Sequence, residues 1–263
     1  MKILMKTSLV MLLAIYGSLA FALTADQIAQ QVDQRDDGDK GTAEMEMTLI
    51  DKQGQTRVRQ MQKFEMDVGE DTHSVIFFTA PADVRNSAFL TYDYADSEKD
   101  DDQWLYLPEL RKTKRIVSSD KSNSFMGSDF SYADMTKRDV SDYQYRIAKE
   151  SEVRGQPVWI MEAIPKQQKT IDETGYQKSY MFVRKDNFVV VRAIHFQTDG
   201  KVKYMDVKKL EQIDGIWVGT EISMATTKNK VTLHQTHLRF NNVRFNQEFG
   251  ESMFTVRRIE KGL

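Results

Sequence analysis

The sequence contains no cysteine, which excludes disulfides, thiol catalysis and lipid attachment through a cysteine. Only four prolines occur in 263 residues and no Gly/Ser-rich linker interrupts the chain, so one continuous domain is expected over residues 23–263. Histidine is scarce too, with four residues. His234 and His237 lie three apart on a predicted strand and must face opposite sides, which makes them a poor metal pair. His73 and His195 have no ligand spacing and read as structural or solvated side chains. A G-x-S-x-G elbow, a P-loop and G-x-G-x-x-G are all missing. Asp120 to Ser131 starts like a calcium loop, but Phe125 stands where glycine is required and Ser131 where glutamate is. Asp100-Asp101-Asp102 reads as a solvated turn. No catalytic residue, metal or cofactor is expected. An excess of one charge is also lacking: 37 basic residues meet 39 acidic ones, a net charge of −2 with both signs interspersed. That balance argues against bulk binding to nucleic acid.

What is present begins with an address. Lys2 and Lys6 precede an apolar run from Leu9 to Tyr16, and Ala20-Phe21-Ala22 fits a signal-peptidase site. Gly17 and Ser18 break the apolar stretch, which is shorter than the ~20 residues that span a bilayer. Residues 1–22 are therefore expected to be a cleaved signal peptide, with a soluble periplasmic protein beginning at Leu23. Losing Lys2 and Lys6 takes the net charge from −2 to −4.

Beyond Leu23 the pattern is mainly β. Thr24 to Asp33 predicts one helix, with Thr24 and Gln27 as its capping box. Ala43, Met45, Met47 and Leu49 alternate with Thr42, Glu44, Glu46 and Thr48, the mark of a half-buried strand. Further strands are predicted at 56–66, 74–79, 143–153, 156–164, 176–184 and 188–197, and from 231 to 243. Asp199-Gly200 and Asp214-Gly215 are the strongest hairpin signals. Eleven to thirteen strands imply a large antiparallel sheet that curls on itself to hide its edges.

Three features bear on binding. Eleven of the 14 methionines remain after the leader, several on strand faces, including Met161, Met181, Met205 and Met224. Each alone reads as core filling; together they fit an adaptable apolar cavity. Met45, Met47, Leu49, Phe64 and Met66 are expected to form its wall. The Ser118–Met135 loop, polar overall, carries Phe125, Met126, Phe130, Tyr132 and Met135 as apolar anchors of a lid. Arg111 to Arg115 is the concentrated basic element. Arg111 and Arg115 share one face, either as charge that protects an edge strand or as a contact for lipid phosphates or an acidic partner at the cavity exit.

Pro81–Asn86, Phe89-Leu90-Thr91-Tyr92, the block DQWLYLPELRK and the block SSDKSNSFMGSDFSYADM, in that order, resemble the longer branch of the LolA-like outer-membrane lipoprotein-sorting proteins. The resemblance implies a half-open β-barrel around an apolar cavity, with an N-terminal helix and a helical or loop lid. It implies a lipid-binding carrier that shields acyl chains of lipids or lipoproteins during transport through the periplasm, in outer-membrane biogenesis. It further implies partners: an inner-membrane RND/MMPL-type exporter and an outer-membrane acceptor. The lid-locking arginine of the founding lipoprotein carrier has no counterpart that can be placed in this sequence. Two alternatives stand beside the carrier: an adaptor of such an exporter, and an enzyme acting on envelope lipids, which carboxylates with raised pKa values in the cavity would favour.

Overall fold

The computed structural model describes residues 22–263, so the expected signal peptide lies outside the described residues apart from Ala22. The chain enters through helix α1 (Ala25–Asp33), whose capping box is closed by Gln27 N–H donating to Thr24 Oγ1 at 3.2 Å and Thr24 N–H donating to Gln27 Oε1 at 2.9 Å. Six strands follow: β1 (Gly41–Asp51), β2 (Thr56–Val68), β3 (Asp71–Ala80), β4 (Ala88–Asp93), β5 (Asp102–Leu107) and β6 (Lys112–Ile116). A segment of short 3-10 turns, residues 117–142, then leads to β7 (Tyr143–Val153). After β8 (Gln156–Pro165) comes helix α2 (Gln168–Thr174), which Gly175 ends in the left-handed region at φ 74°. Strands β9 (Tyr176–Arg184), β10 (Val190–Gln197), β11 (Lys201–Ile213), β12 (Ile216–Lys228) and β13 (Val231–Arg244) complete the meander, and α3 (Val256–Lys261) closes the chain.

All thirteen strands form one antiparallel sheet in the order β6-β5-β4-β3-β2-β1-β13-β12-β11-β10-β9-β8-β7. The chain starts in the middle of the sheet, runs out to β6, crosses to the opposite edge at β7 and returns to pair β13 with β1. The sheet is not closed, and the segment 117–142 joins its two edges. The expected curled, mainly β architecture with an N-terminal helix is what the chain adopts. Two short helices, α2 and α3, go beyond that expectation.

One face of the sheet carries the crossing segment and the other carries α3. Met45, Met47 and Leu49 stand opposite Met61, Arg59 and Arg57 on β2 and pack under the crossing segment with Phe78, Phe89 and Leu105. Phe64 is opposite Thr42, so it and Met66 point to the other face. There they pack with Val75, Phe77, Leu90, Phe254 and Ile259, and Phe64 meets Phe77 edge-on at 6.2 Å. The expected five-residue wall is therefore split. Alternation within β2 was legible, but its parity relative to β1 depends on the turn register, and both faces of this region are covered.

Ile259, on the sheet-facing side of α3, is fully buried, and the first turn of the helix is capped by Arg258 N–H donating to Thr255 Oγ1 at 3.1 Å. Ile259→Ala is expected to destabilise the fold by about 2–4 kcal/mol. Urea unfolding measures it; a loss below about 0.5 kcal/mol would mean that α3 does not hold this face.

Candidate functional site: a covered cavity on the lid face

The register of β8 to β1 builds two parallel cross-strand rows on the lid face. Met161, Met181, Ala193, Met205, Met224, Thr236 and Leu49 stand opposite one another in turn across seven neighbouring strands. Two residues along, Ala163, Ser179, His195, Lys203, Thr226 and His234 form the second row. The first is rich in methionine, whose unbranched thioether adapts its shape. The second is polar and, over its middle, buried.

The crossing segment docks on both rows. Phe125, Phe130 and Tyr132 are buried in the cluster of Met45, Met47 and Leu49, with Met126 and Met135 packed against it. Phe125 lies 5.0 Å from Phe89 between ring centres, and Tyr132 lies 5.6 Å from it. All five expected lid anchors thus meet over one half of the sheet. Met126 takes φ 50°, and Gly127 follows at 76°, which folds the segment back so that Phe125 N–H donates to the Phe130 carbonyl at 2.7 Å.

Two aspartates, Asp129 buried and Asp134 largely so, fix the segment to the sheet. Asp129 accepts from Thr236 Oγ1 at 2.7 Å and Thr226 Oγ1 at 2.5 Å, and its Oδ2 is 2.7 Å from His234 Nδ1. Its own N–H donates to Thr236 Oγ1 at 2.9 Å. Asp134 accepts from the Ser131 N–H at 2.7 Å, the Ser131 hydroxyl at 2.9 Å and the Tyr176 hydroxyl at 2.9 Å. Lys203 Nζ is 3.7 Å from Asp134 and donates to Tyr176 Oη at 3.2 Å. Burial works against the Asp134 charge, but Lys203 and the Ser131 donors outweigh it and hold the carboxyl below its usual range. Burial, then Asp134, pushes the Tyr176 hydroxyl well up. His195 stacks on Tyr176 at 4.4 Å between ring centres and shares a 2.8 Å hydrogen bond with Ser179. Burial and the neighbouring Arg138 press its pKa down to about 3, so the ring is neutral.

Beside this docked segment lies a cavity of about 490 Å³. Met181, Ala193, Met205, Met224 and Ile222 form its apolar wall, α1 contributes Ala29 and Val32, and Phe130 of the crossing segment borders it. Its polar lining is mixed in charge, with Asp33, Asp37, Asp101 and Asp139 beside Arg35, Lys137 and Arg138. Burial and then Asp142 raise Asp139 to about 6, and burial raises Asp101. Met45, Met47 and Leu49 are packed beneath the segment and do not line this cavity. The wall residues that do line it were visible in the sequence as strand methionines, but nothing singled them out from the rest.

The basic element is arranged differently from expectation. Arg111 sits in the β5–β6 turn at φ 47°, outside the strand. Arg115 stands opposite Trp104 on the α3 face, where its Nε donates to Asp102 at 2.9 Å. Both expected exit contacts therefore lie away from the cavity. The cations on the lid face of β6 are Lys112 and Lys114, the latter 2.7 Å from Asp120. Asp102 and Asp101 are likewise engaged rather than merely solvated, Asp101 accepting from Tyr94 N–H at 3.1 Å. Among the described residues, no group of three or more His, Cys, Asp or Glu side chains is placed to hold a metal, and no helix is long and apolar enough to cross a membrane.

Asp93, at the end of β4, accepts from the Lys137 N–H at 2.6 Å and so holds the far end of the crossing segment. Burial, then Asp101, raises its carboxyl to about 7. The unfolded value is about 3.9, so between about pH 4 and pH 7 the native state binds more protons than the unfolded chain. Ionising Asp93 therefore costs stability as pH rises through that window. Asp93→Asn keeps an oxygen for the Lys137 amide and removes the ionisation. Its stability relative to the unsubstituted protein should grow from pH 5 to pH 8; thermal unfolding showing a constant gap would contradict this.

Comparison with known proteins places this arrangement. Residues 70–261 match the model of the DUF1329-like family, described as an uncharacterized protein. A DUF1329 family protein from Desulfovibrio piger superposes with a TM-score of 0.81 at 29% identity, covering 89% of this chain and 97% of that one. A domain named for outer-membrane lipoprotein sorting, from Vibrio parahaemolyticus, gives 0.80 at 29% identity, covering 90% and 98%. The LolA-superfamily protein NE2245 from Nitrosomonas europaea shares the fold, with a TM-score of 0.67 at 18% identity over 90% of this chain and 99% of that one. None of the curated proteins matches the sequence. The chain belongs to the DUF1329-like family, built on the LolA-like fold.

Proposed function

We propose that the protein is a periplasmic carrier that shelters acyl chains of lipids or lipoproteins against its methionine row and delivers them towards the outer membrane. The observation that carries this reading is the cavity wall of Met181, Ala193, Met205 and Met224 beside a segment that covers the rest of the same face. Each sheltered methylene contributes ~0.8 kcal/mol, so one long chain supplies ample affinity without specific chemistry. Release is then the harder step, and it calls for a partner that moves the crossing segment. An inner-membrane RND/MMPL-type exporter and an outer-membrane acceptor fit that role. The likeness to a domain named for outer-membrane lipoprotein sorting supports the reading.

A second reading, an enzyme acting on envelope lipids, draws on Asp101 and Asp139 in the cavity lining, both with raised pKa values. Ala193 is buried in the wall, and Ala193→Trp fills the space an acyl chain needs. Displacement of a fluorescent fatty acid should show at least about tenfold weaker binding by the folded variant. Unchanged affinity would refute an acyl site on this wall. Lipid recovered from the incubation with unaltered mass supports the carrier; a cleaved or modified lipid supports the enzyme.

A further inference from the structure

Lys121 belongs to the crossing segment, lines the cavity and is only 6% exposed. Its backbone is fixed: the Ala133 N–H donates to its carbonyl at 2.9 Å, and its own N–H donates to the Ser118 carbonyl at 3.2 Å. Its ammonium has no salt-bridge partner within 4.0 Å among the described residues. Most of the side chain is buried, and an ammonium at such a place favours a partner over open solvent. Glu173, in the last turn of α2, lines the same cavity; Ser118 and the Lys121 charge favour its carboxylate, but its Oε1 is buried without a hydrogen-bond partner. Lys169, one turn earlier, is 4.0 Å from that oxygen, too far to donate, and instead meets Asp100 at 2.7 Å. The neighbouring polar groups are already engaged, Asp101 by Tyr94 N–H and Asp142 by Thr170.

We propose that Lys121 and Glu173 form the two halves of a headgroup site for a zwitterionic phospholipid, the lysine taking the phosphate and the glutamate the primary ammonium. The two side chains line one cavity with opposite charges that attract each other without coming within 4.0 Å, which leaves room for a ligand between them. A phosphodiester and an ammonium a few bonds apart on one ligand would satisfy both at once. A purely anionic headgroup fits worse, since acidic side chains outnumber basic ones in the cavity lining, seven to four. The apolar wall of Met181, Met205 and Met224 takes the tails. This inference rests on the carrier reading and narrows it, because the fully acylated cysteine of a mature lipoprotein carries neither a phosphate nor an ammonium.

The test uses the delipidated mature protein and short-chain lipids with identical tails: phosphatidylethanolamine, phosphatidylglycerol and diacylglycerol, with phosphoethanolamine as the tail-less probe. Calorimetry should show phosphatidylethanolamine binding about tenfold tighter than phosphatidylglycerol, and phosphoethanolamine far weaker than the lipid. Glu173→Gln should abolish the preference between the two phospholipids. Lys121→Met should weaken both by about tenfold and leave diacylglycerol unchanged. If Lys121→Met does not fold, Glu173→Gln with Lys121→Arg decides: a preference lost in the first and kept in the second supports the site. Affinities that ignore headgroup, or a preference unchanged in folded Glu173→Gln, overturn the inference while the carrier reading stands. Phosphoethanolamine binding as tightly as the lipid overturns it in favour of a small soluble ligand. Failure of every lipid to bind removes the carrier reading and this site with it.

Discussion

Two carboxylates, Asp129 buried and Asp134 largely so, hold the lid face together. Each is tolerable only because donors surround it: Thr226, Thr236 and His234 around the first, Ser131 and Tyr176 around the second, with the Lys203 ammonium 3.7 Å from it. Removing one partner of such a cluster leaves an unpaired charge or donor, so the clusters act as units. Their geometry is directional in a way the surrounding Phe and Met packing is not. The apolar anchors supply attraction, and the aspartates supply the register in which the crossing segment lies on the sheet.

That segment is a consequence of topology. A chain that begins in mid-sheet and lays down six strands to one edge must travel to the other edge before it can return. The path crosses one face, and what it covers becomes core. What it leaves uncovered, between α1 and the row from Met181 to Met224, becomes the cavity. Core and cavity are thus two parts of one apolar surface, divided by how far residues 117–142 extend over it. A carrier can use such a division, since the open part takes up cargo first and the covered part is added when the segment lifts.

Local patterns in the sequence reached far into the fold. Alternation in Ala43–Leu49, the Thr24–Gln27 capping box and the Asp199-Gly200 and Asp214-Gly215 turns act within a few residues, and the structure keeps all of them. The apolar anchors Phe125 and Phe130 stood out because they interrupt a polar loop. What joins distant strands was not legible. Asp129 meets Thr236 across 107 positions, Tyr176 meets Asp134 across 42, and no local pattern marks either partner. The face of Phe64 and the turn position of Arg111 depend on register and on a positive φ, which composition does not encode. Lys121 looked like one more charge in a polar loop, and its burial follows only from the way the loop lies down.

The central claim is that the crossing segment is a removable cover rather than permanent core. Hydrogen exchange on the mature protein, with and without a saturating short-chain phospholipid, tests it most directly. Segments that open reversibly belong to the low-stability end of a fold. The amides of Phe125, Tyr132 and Ala133, bonded within the segment, should exchange faster in the loaded protein, while those of Met45 to Leu49 in β1 stay protected. Equal protection of both groups in the two states would contradict the account and make residues 117–142 a fixed part of the core.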